Sequence, residues 1–180
     1  MHLNTERPDD AATVAIARAF ALLEDWLRAS DPLDPARRVL PFVDAWPRPL
    51  VDALAGADDW SLADLGRVYA AEAPSRGYGL DLLPLLQDAV PDTLSDVPPD
   101  QLKGGRPTFH YRLPEARLDE STWSLAYEWN RWWVVEKVAA NAALLGALAQ
   151  DWQDYRAALT TTRGDWLAQV NDRLDRAGLV

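Results

Sequence analysis

Two histidines occur in the 180 residues, and each stands two positions from another polar side chain: His2 from Asn4 in "MHLN", and His110 from Arg112 in "TFHYRLPE". In extended chain, residues two apart face the same way. His110 and Arg112 therefore share one side of a short β-prone run, and Phe109 and Tyr111 the other. An imidazole in such a place binds a metal or a proton, and a guanidinium holds a carboxylate or phosphate. The same pattern also suits an ordinary half-exposed strand whose polar side meets solvent. His2 and Asn4 repeat the geometry with ligand or hydrogen-bonding atoms, although residues this close to a terminus often fray and carry no role. Arg76, Lys103 and Arg106 lie in glycine-bearing loops ahead of the strand. Permissive backbone there lets an anion approach and the cations neutralise it; taken singly, they are solvated loop charges.

Other chemistries find little support. Cysteine is absent, which excludes disulfides, thiolate zinc sites and cysteine nucleophiles. The sequence has no G-x-S-x-G, Walker, G-x-G-x-x-G or H-E-x-x-H pattern. A formal net charge of -10 argues against binding to the phosphate backbone of nucleic acid, which needs clustered Lys and Arg. No run approaches the roughly 18 apolar residues of a membrane span, and the acidic N-terminus lacks a signal-peptide pattern. The expectation is a cytoplasmic protein with neither nucleic acid nor membrane as partner.

The elements that position these residues are mostly helices. "AATVAIARAFALLEDWLRAS" carries Ile16, Phe20, Leu23 and Leu27 at helical spacing and predicts an amphipathic helix. Asp34 and Pro35 suit the N-cap and first position of a short following helix. Ser61 with Asp64 opens another, which Pro74 closes. The Gly- and Pro-rich stretch from Ser75 to Pro107 reads as loops and one-turn helices. A strand follows over Thr108–Leu113, and Ser121 or Thr122 is placed to cap "WSLAYEWNRWWVVEKVAA". That helix has apolar residues on nearly every face, which predicts a buried helix through the centre of the fold. Trp129, Trp132 and Trp133 are read as packing, with Glu128, Asn130, Arg131 and Glu136 as buried polar partners; most of the nine tryptophans are assigned to the core. Asn141 caps a successor, and "TTTRGDW" starts a last helix ending near Gly178. Residues 1–180 read as a single α+β domain, predominantly helical, with one strand. A strand needs partners for its backbone groups.

"GLDLLPLL", followed by "RPTFHYRLPEARLDESTWSLAYEWNRWWVVEKVA", resembles the C-terminal part of the amidoligases, relatives of glutamine synthetase and other carboxylate–amine ligases. "MHLNTERP" is similar to that superfamily's strand motif ending in "MH-x-H/N". The glutamine synthetase strand "Glu-x-Arg-x-Pro" corresponds to His110-Tyr111-Arg112-Leu113-Pro114.

This resemblance implies the C-terminal portion of a glutamine synthetase-like fold with few strands, and ATP-dependent amide formation through an acyl phosphate. His2 and His110 would be ligands of a divalent metal, Mg²⁺ or Mn²⁺. Asn4 would lie near the ATP, with Arg76 and Arg106 as further cofactor-binding groups, and Arg112 would be the catalytic arginine on substrate carboxylate or phosphate. The substrates would be a small-molecule or peptide carboxylate and an amine. Position 110 is His where glutamine synthetases have Glu, which lowers the preference for a hard cation. The superfamily's carboxylate-bearing first half has no counterpart, and no Glu-x-Glu occurs. The expectation is a fragment, an internally initiated product or a reduced homologue, inactive alone, that self-associates or pairs with a missing half through an open sheet edge. The alternative is a non-catalytic acidic helical module that binds a partner through an aromatic surface.

Overall fold

The computed structural model describes residues 1–35 and 41–180. Strand β1 (Leu3–Glu6) leads into α1 (Asp10–Ser30); α2 (Arg48–Ala55) and α3 (Leu62–Glu72) follow, then β2 (Leu80–Asp81), α4 (Leu83–Ala89) and two one-turn 3₁₀ segments, Pro91–Leu94 and Pro99–Gln101. After β3 (Thr108–Tyr111) the chain forms α5 (Leu125–Ala139), α6 (Ala142–Ala157) and α7 (Arg163–Arg176). The short helix expected after Asp34 and Pro35 falls on residues 36–40, outside the described residues.

The central helix is α1, not the tryptophan-rich α5. Asp9 caps α1 by accepting from the Ala12 N–H, and the helix packs against α2, α3, α5, α6 and α7. Burial on so many sides requires its polar residues to be paired. Arg18 donates from Nε to the Leu54 carbonyl at 3.0 Å and pairs with Asp58 at 2.8 Å, so a cation sits on the exposed carbonyls at the C-terminus of α2. Glu24 accepts from Arg28 and from the Trp46 N–H at 2.9 Å.

Helix α5 is two-sided. Glu128, Arg131, Trp132, Val134, Val135 and Val138 are buried, whereas Trp129 is 47% and Trp133 40% exposed, with Leu125 and Tyr127 also exposed. The assignment of Trp129 and Trp133 to packing is therefore corrected. Of the polar residues expected inside with them, Glu128 and Arg131 are buried and Asn130 is exposed. The cap of α5 is Ser124, which accepts from the Tyr127 N–H, rather than Ser121 or Thr122. Ser61 with Asp64, and Thr162 with Asp165, form complete capping boxes, and Asn141 caps α6.

The single strand read from sequence is the middle of three. The order is β1-β3-β2, with both pairs antiparallel. One face carries Leu3, Tyr111 and Leu80 in a row across the strands, and beside them Thr5 and Phe109. Trp132 of α5 lies against this face, its ring centroid 5.0 Å from Tyr111 and 5.5 Å from Phe109. Phe20 of α1 approaches Tyr111 edge-on at 6.1 Å. The helices thus cover one side of the sheet, and the side chains of alternate residues project to the other.

Candidate functional site

The face opposite the helices is organised by the strand register. Asn4 pairs with His110, and His110 pairs with Asp81, so the three form one row across the sheet. His2 precedes Asn4 by two residues and returns to the same face; its ring lies 4.6 Å from that of His110, tilted by 31°. The structure therefore brings together the two histidines, which 107 intervening residues separate in sequence, because β1 and β3 are neighbours.

Arg112 continues this face one step beyond β3. Its backbone N–H donates to the Gly79 carbonyl at 2.7 Å, and its guanidinium folds back over the sheet. There it donates to Asp81 Oδ2 at 2.7 Å, to the Tyr78 carbonyl at 3.3 Å and to the Arg76 carbonyl. The Phe42 ring lies 5.2 Å away against the same group, in a cation–π arrangement. Arg112 is 8% exposed and Asp81 fully buried.

Arg76 approaches the same carboxylate oxygen from the loop before β2, with Nε 3.6 Å from Asp81 Oδ2. That separation exceeds a hydrogen bond, and the buried Nε finds no other acceptor. The Arg76 side chain remains 28% exposed. Arg106 reaches this neighbourhood because its N–H donates to the Pro84 carbonyl at 2.8 Å. Gly105 makes that approach possible: a Cβ there would come within 2.8 Å of the Asp88 backbone.

The electrostatics follow from this crowding. Burial holds the His110 imidazole down to about 4, helped by the positive charges of Arg112, His2, Arg76 and Arg106. His110 is thus neutral at neutral pH, with a lone pair to offer and little basicity. Burial pushes the Asp81 carboxyl up, while Arg112, the Leu83 N–H and Arg76 pull it back. In a chain of formal charge -10, two arginines at one carboxylate and a third whose charge reaches the neutral histidine make a local cationic spot, suited to an anion.

A hard divalent cation is a poorer match to the same residues. His2, His110 and Asn4 offer two imidazoles and one amide. Asp81 has Oδ2 on Arg112 and Oδ1 accepting from the Leu83 N–H at 3.0 Å. Among the described residues no three His, Asp or Glu side chains are grouped to hold one ion. Mg²⁺ and Mn²⁺ prefer a shell of about six oxygens, and this donor set does not fit them.

Asp81 is the member of the site that sequence reasoning missed. It stands in "GLDLLPLL" as one acid among leucines. A two-residue strand is too short for alternation to reveal it; the available signal was a single carboxylate in an apolar run, which needs a cation if buried.

Comparison with known proteins bears on what such a face does. A model of the family described as "Putative amidoligase enzyme" matches residues 1–134, from the first residue of the chain into α5. The chain belongs to this family. The amidoligase match includes all three strands and every polar residue of this face, whereas α6 and α7 lie outside it. No curated protein and no solved structure matches the chain.

Proposed function

We propose that the polar face of the sheet serves ATP-dependent ligation of a carboxylate to an amine by way of an acyl phosphate. The observation that carries this reading is the meeting of Arg76 and Arg112 at Asp81, with the charge of Arg106 felt at the neighbouring His110, on a sheet that lies within the amidoligase match. In such a reaction a carboxylate oxygen attacks the γ-phosphorus of ATP and ADP leaves; the amine nitrogen then attacks the acyl carbon and phosphate leaves. Both steps place negative charge on phosphoryl oxygens, and fixed cations beside them lower the barrier. Arg76 and Arg106 face those oxygens, Asn4 offers its amide to the nucleotide, and the neutral ring of His110 with His2 offers hydrogen-bonding groups to the amine. The roles first expected for the histidines as ligands of Mg²⁺ or Mn²⁺ do not enter, because the donor set does not suit those ions. The carboxylate is a small molecule or a peptide.

Completion of the face from a second polypeptide belongs to the same reading. The Arg7 N–H donates to the Pro107 carbonyl at 2.8 Å, and the alternation of an antiparallel ladder then turns the backbone groups of Asn4 and Glu6 away from β3. The outer edge of β1, which pairs with no further strand among the described residues, thus adjoins the row Asn4, His110 and Asp81. A strand added there by a second copy or another chain would set a further side chain beside Asn4.

The test is trapping of the acyl phosphate. The protein is incubated with ATP, a panel of amino-acid and peptide carboxylates, and hydroxylamine, and hydroxamate is measured against ADP release. Equal amounts of both, at protein concentrations where sedimentation shows association, are the expected result. Neither product at any concentration, from a protein that sediments as a monomer throughout, defeats both the activity and its completion by a partner.

A second reading is favoured by α5. Leu125, Trp129 and Trp133 lie four residues apart on its exposed side, and an apolar helical stripe of this kind suits a protein partner. Alanine at Trp129 and Trp133 that abolishes association, in a protein with no ligase product, would favour this reading.

A further inference from the structure

We infer that Arg76, rather than Arg112, is the arginine that takes the substrate oxyanion, and that the buried Asp81–Arg112 pair is a positioning device that holds Arg76 in place. This rests on the anion-binding reading of the same face and assigns the labour within it.

Arg112 is committed. One guanidinium nitrogen serves Asp81 Oδ2 at 2.7 Å; the other serves the carbonyls of Tyr78 and Arg76. Phe42 lies against the group, and 8% of the residue is exposed. An oxyanion reaching Arg112 would have to displace the carboxylate of a fully buried aspartate, leaving that charge without its partner, which is among the costliest changes a buried site can suffer.

Arg76 has the complementary character. Its backbone is fixed at both ends: its N–H donates to Gln101 Oε1 at 3.0 Å and its carbonyl accepts from Arg112. Its side chain points to the same Asp81 oxygen, yet at 3.6 Å no hydrogen bond forms. The Nε is buried without an acceptor, and no hydrogen bond from its terminal nitrogens appears among the described residues. A guanidinium with a fixed backbone, a nearby carboxylate to orient it, and unused donors at its exposed end is prepared for a bidentate oxyanion. Asp81 supplies the orientation and Arg112, 2.7 Å away, supplies its countercharge. Two guanidinium groups share one carboxylate, so one positive charge is left over for the ligand.

The source of the oxyanion is either the phosphates of ATP or the substrate carboxylate, and separate titrations distinguish them. Calorimetric titrations with pyrophosphate and with glutarate, each without added metal ion, are run on the full chain and on Arg76→Gln, Arg112→Lys and Asp81→Asn. At least one probe is expected to bind, and Arg76→Gln is expected to weaken it tenfold or more while leaving thermal unfolding near that of the parent protein. Arg112→Lys keeps the charge but cannot span Asp81 and both carbonyls, so a several-fold loss is expected from misplacement alone. Asp81→Asn separates position from charge: it makes the face more positive, so electrostatics alone would tighten binding, whereas loss of positioning weakens it. If Asp81→Asn does not fold, Arg112→Lys still decides.

Parent-like binding by Arg76→Gln, tighter binding by a folded Asp81→Asn, or unchanged binding by Arg112→Lys would each overturn the assignment, as would failure of both probes to bind the parent protein. Because these titrations require no turnover, an inactive protein that binds pyrophosphate through Arg76 would refute the ligase reading and leave this assignment standing.

Discussion

Two buried charge clusters in this molecule use the same residue types to different ends. One lies between α1 and α5. Arg131 donates to Asp31 at 3.2 Å, to Glu128 at 3.0 Å and to the Leu27 carbonyl. Arg117 pairs with the second oxygen of Asp31 at 2.7 Å, and Glu128 also accepts from Trp123 Nε1 at 3.2 Å. Carboxylates equal or outnumber arginines there, and both terminal nitrogens of Arg131 are spent on neighbours, although its Nε, like that of Arg76, is buried without an acceptor. The other cluster lies on the open sheet face, where Arg76 and Arg112 share Asp81 alone and Arg106 stands nearby. The first cluster closes on itself and ties two helices together. The second carries an excess of positive charge and an arginine whose terminal nitrogens make no hydrogen bond among the described residues, which is the condition for binding something from outside.

Breaking the closed cluster should have the largest effect. Arg131→Met takes from Glu128 its cation and from Asp31 one of two, the other being Arg117, and leaving a buried carboxylate unpaired costs about 3–5 kcal/mol. Denaturant unfolding measures the loss, and oxyanion binding by the protein that remains folded should be unchanged. Arg76→Gln is the mirror image: stability within about 0.5 kcal/mol of the parent, as for a surface substitution, with binding lost.

An intermediate effect separates the two clusters by pH. The folded-state value for His110, about 4, lies below its ordinary 6.5, so between these values the unfolded chain binds a proton that the folded chain refuses. Stability therefore falls as pH drops from 6.5 towards 4. His110→Asn should flatten that part of the pH dependence, measured by unfolding at successive pH values; an unaltered slope would place the titration elsewhere.

The smallest effect on stability is expected at the exposed tryptophans. Trp133→Ala removes a ring that Lys137 covers at 5.1 Å, at a cost of about 0.5–1 kcal/mol, measured by denaturant unfolding. Loss of association in sedimentation without a larger destabilisation would mark the stripe as a docking surface.

How much of this could be read beforehand depended on whether the signal was local. The stripe on α1, the caps at Ser61 and Asn141, the start of the last helix in "TTTRGDW", and the alternation around His2 and His110 each rest on residues close together in sequence, and the structure contains each. The tryptophan helix was misjudged because composition showed apolar residues on every face, while only the fold decides which side the sheet and α1 cover. Central burial of α1 was hidden because Arg18 and Glu24 look like a solvent face until their partners, Leu54, Asp58, Arg28 and Trp46, are brought to them. The role of Asp81 is wholly a matter of register: nothing in "GLDLLPLL" indicates that His110 stands on the adjoining strand or that Arg112 turns back over it.

The most direct measurement of the contrast between the clusters is a pyrophosphate titration followed by NMR on protein labelled with ¹⁵N in the arginine side chains. The expected result is a progressive shift of the Arg76 Nε resonance with those of Arg131 and Arg117 unmoved. Movement of Arg131 or Arg117 with Arg76 silent, or no movement at any of them, would contradict the account.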